Sequence, residues 1–224
     1  MRILVCGDSF AITDPDYPEL HWSEKILNHS ADIELCNLAA GGASNAMIAM
    51  QLLQGLQLKP DAVIFSFTTE GRYELDHNTT AIPKAITAAE LADFQKQRWI
   101  TNSFINVVDK TRLDAIDRWR TLAASESFEW LKDYFLIAFC LQTAQINKLK
   151  FVYSLGGFEY RRDWHQNLRQ NFIENIIADY NDNEISINLW YHQSLNNAPL
   201  FHVVSNEAQT LFANHCLQKL DNYI

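Results

Sequence analysis

Five short apolar runs, at residues 2–6, 33–38, 62–67, 151–155 and 185–190, constrain the fold of this chain more than any other feature. The first, Ile3-Leu4-Val5-Cys6, is nearly continuous and stops at Gly7-Asp8. Such a run suits a strand buried on both faces, which is its situation inside a parallel sheet. Between the runs lie helical stretches: a short one over 19–28 after Pro15 and Pro18, then one over 45–57. For the second, Ser44 is the expected N-cap and Met47, Ile48, Met50, Leu52 and Leu53 are the apolar positions. Strand, helix, strand at this spacing is the βαβ unit, with its right-handed crossover.

Later segments keep the alternation. A helix over 163–180 carries Leu168, Phe172, Ile176 and Ile177, and a last helix runs from its cap Ser205 to Leu220. In that last helix Ala208, Leu211, Phe212 and Leu220 are expected to face inward. The rhythm breaks between Thr68 and Lys150, where the chain has room for about three helices of ordinary length. They are read at 88–97, 105–120 and 128–149, with the stretch of about 72–126 as a helical insertion after strand three. The expectation is one α/β domain over 1–224: a three-layer, flavodoxin-like α/β/α sandwich on a five-stranded parallel sheet.

Composition narrows the function. A net charge of −9, with no Lys/Arg cluster beyond Arg161-Arg162, argues against nucleic acid as a partner. The first apolar run is too short for a signal peptide, and no 18-residue apolar window exists, so a cytoplasmic protein without a membrane partner is expected. Cys6, Cys36, Cys140 and Cys216 lie far apart within apolar stretches, the pattern of reduced, buried thiols. The Rossmann glycines, a Walker lysine and the Gly-x-Ser-x-Gly elbow are all missing.

In an open parallel sheet, ligands bind beyond the carboxyl ends of the strands. Asp8 and Ser9 follow strand one, Gly42 and Asn45 follow strand two, and Thr68, Glu70 and Arg72 follow strand three. His202 stands in the loop after strand five. A serine and a histidine on one rim can form a nucleophile and its base, since the hydroxyl is inert until an imidazole accepts its proton. Glu70 and Arg72 can equally form a structural ion pair.

Several of these segments resemble blocks of the SGNH (GDSL-like) hydrolases. Gly7-Asp8-Ser9-Phe10 resembles the first block, and Asn37-Leu38-Ala39-Ala40-Gly41-Gly42-Ala43-Ser44-Asn45 the second. The run from Pro60 to Glu70 is similar to the strand leading into the third, and Phe201-His202-Val203-Val204 to the last. The resemblance covers both ends of the chain and skips the insertion. It implies Ser9 as nucleophile, His202 as general base, and Gly42 as an oxyanion donor, with no metal and no organic cofactor. Two positions depart from the family pattern. Glu70 falls where the family carries an oxyanion asparagine, and Pro199 where it carries the aspartate that orients the histidine. Asn45 or the Thr68 and Thr69 hydroxyls would then replace the first, and Asn196, Asn197 or a backbone carbonyl the second.

The expected activity is hydrolysis of a small acyl ester, with an O-acetylated carbohydrate as the candidate substrate. Acyl transfer by the same Ser-His pair, and a non-catalytic binding or assembly role, are the alternatives. A homo-oligomer is compatible with the sequence.

Overall fold

In β1 (Arg2–Gly7) every residue after the first is buried, as the uninterrupted apolar run requires. The computed structural model describes residues 1–13, 17–41, 43–68, 126–155, 177, 179–185 and 205–221, with side chains 126–130 excepted. Within these, β1 pairs in parallel with β2 (Glu34–Asn37) on one side and β3 (Ala62–Ser66) on the other. β3 pairs in parallel with β4 (Lys150–Ser154), giving the order β2-β1-β3-β4. In this register Leu4 lies opposite Cys36 and Val63, and Val63 opposite Phe151.

Among the described residues four helices flank the sheet: α1 (Trp22–Leu27), α2 (Asn45–Gly55), α3 (Glu126–Ile146) and α4 (Asn206–Asp221). Alternate strand residues point to opposite faces, so the core divides in two. Leu4, Cys6, Val63 and Phe65 pack with Ile48 and Leu52 of α2 and Ile137 and Leu141 of α3. Ile3, Val5, Ala62 and Ile64 pack with Trp22 and Ile26 of α1 and Phe212 and Cys216 of α4. The result is the expected three-layer α/β/α arrangement, and its strand order is that of the first four strands of a doubly wound sheet.

The described residues contain four strands, not the expected five. Where a fifth would begin, Ile185 N–H donates to the Tyr153 carbonyl at 2.7 Å, and Glu184 forms an isolated parallel bridge with Tyr153. Residues 186–190 lie outside the described residues, as do the expected helices over 88–97 and 105–120 and most of that over 163–180. The helix expected over 19–28 divides into a 3₁₀ turn, Pro18–Leu20, and α1, with His21 between them as an extended N-cap.

Ser44 and Ser205 cap their helices as expected, accepting from Met47 N–H and Ala208 N–H. One inward assignment is corrected: Leu211 is 44% exposed; Leu53, an apolar position of α2, is 49% exposed. At about 100° per residue, Leu53 falls on the same sector of α2 as Ala46 and Met50, outside the buried arc. Leu211 lies just off the arc of α4 that buries Ala208, Phe212, Cys216 and Leu220.

Candidate active site

Ser9 sits in the first turn beyond the carboxyl end of β1, and the sequence of that turn explains its shape. Asp8 accepts from Phe10 N–H through Oδ1 at 2.9 Å, while its carbonyl accepts from Ala11 N–H at 3.0 Å and Ile12 N–H at 3.2 Å. An aspartate that folds the backbone back on itself in this way makes a tight Asx-type turn. Gly7 lets the turn close on the sheet. A Cβ there would stand 2.6 Å from Ala11 Cβ and 2.9 Å from Ser66 Cβ.

Buried polar side chains tie the turn of Ser9 to its neighbours through Asp8 and Gly7. Thr68 Oγ1 donates to Asp8 Oδ2 at 2.7 Å. The Asn45 amide meets the Thr68 backbone twice, with Oδ1 accepting from Thr68 N–H at 3.0 Å and Nδ2 donating to Thr68 O at 3.1 Å. Nδ2 also donates to Asp133 Oδ1 at 3.1 Å. Both amide hydrogens of Asn45 are therefore engaged. Gln51 meets the backbone of Gly7 in the same manner, accepting from its N–H at 2.7 Å and donating to its carbonyl at 3.2 Å. Asn37 joins the loops after β1 and β2, donating to Ala11 O at 2.7 Å and accepting from Ala39 N–H at 3.0 Å.

Exposure separates the roles of these residues. Asp8, Asn45 and Thr68 are sealed at 0%, whereas Ser9 keeps 8%. Ser9 is the least deeply buried of the four. The sequence places all four on one rim, and the structure links Asp8, Thr68 and Asn45 by hydrogen bonds next to Ser9 in the chain. Gly42, Glu70, Arg72 and His202, together with Thr69 and Asn196 to Pro199, lie outside the described residues.

Sequence reasoning misses Gln51, Asp133 and His21. The signal available for the first two is a polar residue inside an apolar helical stripe, as Asp133 is beside Leu131 and Ile137. His21 Nδ1 accepts from Ser23 N–H at 3.2 Å and lies 2.7 Å from Ser23 Oγ. This serine and histidine are 0% and 1% exposed, so their pairing holds a helix start and presents no nucleophile. The four thiols are free and buried, and burial pushes each above its ordinary range, away from the nucleophilic thiolate. No helix among the described residues is long and apolar enough to cross a membrane.

No protein-family model matches the chain, and no curated protein matches it. Solved structures do. A psychrotrophic esterase, EstA from Pseudoalteromonas sp., is 10% identical at a TM-score of 0.51, with 99% of this chain and 97% of that one covered. TesA is 12% identical at a TM-score of 0.50, with both chains fully covered (100% each). A GDSL-like lipase from Bacteroides thetaiotaomicron is 11% identical at a TM-score of 0.46, with 100% of this chain and 89% of that one covered. At such identities the likeness concerns the fold. The chain shares the α/β/α fold of EstA and TesA, the fold that the resemblance in its sequence implied, at 10% and 12% identity.

Proposed function

We propose that the chain is a serine hydrolase of small acyl esters, with Ser9 as its nucleophile. The observation that carries this reading is the position of Ser9: it follows β1 directly, adjoins the buried Asp8-Thr68-Asn45 cluster, and keeps 8% exposure where those three keep none, in a fold shared with an esterase. Ser9 Oγ attacks the ester carbonyl carbon while His202 takes the hydroxyl proton. The tetrahedral intermediate then collapses, and His202 returns the proton to the leaving alcohol. Water repeats the sequence on the acyl-enzyme and releases the acid. The Ser9 and Gly42 N–H groups receive the oxyanion. Asn45 acts from below, holding the Thr68 backbone, because its amide hydrogens are already engaged. An O-acetylated carbohydrate is the substrate class to test first.

The test is covalent labelling by a fluorophosphonate, beside hydrolysis of p-nitrophenyl acetate. Wild type labels, and Ser9→Ala loses labelling and about 10³-fold or more in kcat with an unchanged thermal midpoint. Equal, background-level hydrolysis by both folded proteins removes the hydrolase reading and leaves the binding role, to which Glu70 in place of an oxyanion asparagine already points.

A further inference from the structure

We infer that Gln209 is a positioning residue for Ser9, acting across the molecule through Trp22 and the Phe10 carbonyl; the inference rests on the hydrolase reading above. Gln209 stands in the first turn of α4 and is 0% exposed. Its Oε1 accepts from Trp22 N–H at 2.8 Å, a contact between residues 187 apart in sequence. Trp22 is the first residue of α1, where a backbone N–H has no partner within the helix. His21 serves the next N–H, that of Ser23, so Gln209 supplies from α4 the acceptor that α1 lacks.

Trp22 in turn holds the residue after the nucleophile. Its Nε1–H donates to the Phe10 carbonyl at 2.9 Å. His21 Nδ1 accepts from Ser23 N–H, which leaves the ring hydrogen on Nε2, and Nε2–H donates to the same carbonyl at 3.2 Å. Phe10 N–H is held by Asp8 Oδ1, and its ring is 1% exposed. Phe10 is thus fixed at its amide, its carbonyl and its side chain, and Ser9 is left little freedom between Phe10 and Asp8. The line from Gln209 to Phe10 fixes the start of α4 against the turn of Ser9. That line sets the height and aim of the hydroxyl, and displacement of a reacting group by about 1 Å can cost about 10²-fold.

The experiment uses the full chain as wild type, Gln209→Leu, Gln209→Glu and Trp22→Phe. It reads the rate of Ser9 labelling by a fluorophosphonate, kcat and KM on p-nitrophenyl acetate, the pH profile and the thermal midpoint. Gln209→Leu keeps the volume and loses the acceptor. It should slow labelling and kcat about tenfold with KM within about twofold and the pH midpoint unmoved. Gln209→Glu keeps an oxygen for Trp22 N–H and should stay within about threefold of wild type. Trp22→Phe keeps the packing against Phe212 and loses the donor to Phe10, so it should fall as Gln209→Leu does. It decides the matter alone should Gln209→Leu fail to fold. Wild-type labelling rates in the folded variants, with only the thermal midpoint lowered, would overturn the inference and leave the hydrolase reading standing. A wild type that does not label removes both.

Discussion

Asn45 can be assigned a role by what its removal does, because two roles predict opposite patterns. Its amide joins Thr68 N–H, Thr68 O and Asp133 Oδ1 in a site closed to water. Asn45→Ala withdraws a partner from each of these buried groups, and a buried polar group losing its hydrogen bond costs about 1–3 kcal/mol. The expected outcome is a loss of at least about 3 kcal/mol in urea unfolding, with activity falling as the Thr68 backbone relaxes. An oxyanion donor would behave otherwise: kcat would drop about 10²–10³-fold with stability nearly intact. Measuring the unfolding free energy and kcat of one variant separates the two, and an unchanged unfolding curve would return Asn45 to the oxyanion hole. Asp8 and Thr68 belong to the same support, since their bond at 2.7 Å is fully buried.

The distance between α2 and β1 is set by the absence of a side chain at residue 55. A Cβ on Gly55 would lie 2.4 and 2.6 Å from the two terminal carbons of Leu4, which is itself fully buried. Alanine in a helix interior is otherwise favoured over glycine by about 1 kcal/mol, so propensity alone predicts that Gly55→Ala stabilises. Contact wins here: overpacking costs about 1–3 kcal/mol, and the variant should be less stable than wild type. Leu4→Ala opens the space that the new methyl needs, so the double variant should lose less than the two single changes added, by about 0.5 kcal/mol or more. Strict additivity in a chemical-denaturation cycle would contradict this account of the packing. The same element shows how far sequence reaches. The strands are legible because apolar runs end at Gly7-Asp8 or begin at Pro60-Asp61, and the start of α2 is legible because Ser44 caps it. Ser9 is legible because a polar turn after a buried strand marks the rim of such a sheet. Its support is not, because Asn45 finds Asp133 across 88 residues and Trp22 finds Gln209 across 187, and no local period encodes such pairings. The inward assignment of Leu211 fails for a related reason: apolar identity puts a residue on a helix without saying which arc its neighbours cover.

Across the whole molecule, both faces of the sheet are closed tightly enough to govern its response to alkali. Cys6 and Cys140 lie in the layer shared with α2 and α3, and Cys216 in the layer shared with α1 and α4. All three are 0% exposed, and burial raises each thiol well above its ordinary value. A pKa raised by folding favours the native state below the unfolded value, near pH 8.5–9, where both states hold the proton. Above that pH the unfolded chain releases protons that the native state keeps, so stability declines as pH rises toward the folded value. Each thiol contributes a slope of about 1.4 kcal/mol per pH unit, and three together about 4, which is comparable with the whole stability of many domains. Urea unfolding under reducing conditions at pH 8, 9 and 10 should therefore show a steep loss. The difference between wild type and Cys216→Ala isolates one thiol from every other titrating group. Cys216→Ala should be the less stable protein at pH 7, because it leaves a small cavity against Phe212 and Trp22. It should also decline more gently above pH 9, by about 1.4 kcal/mol per unit, so that the two curves converge. Parallel curves would mean that the thiol at 216 ionises as readily in the native protein as in the unfolded chain, and that the layer between the sheet and α4 admits water.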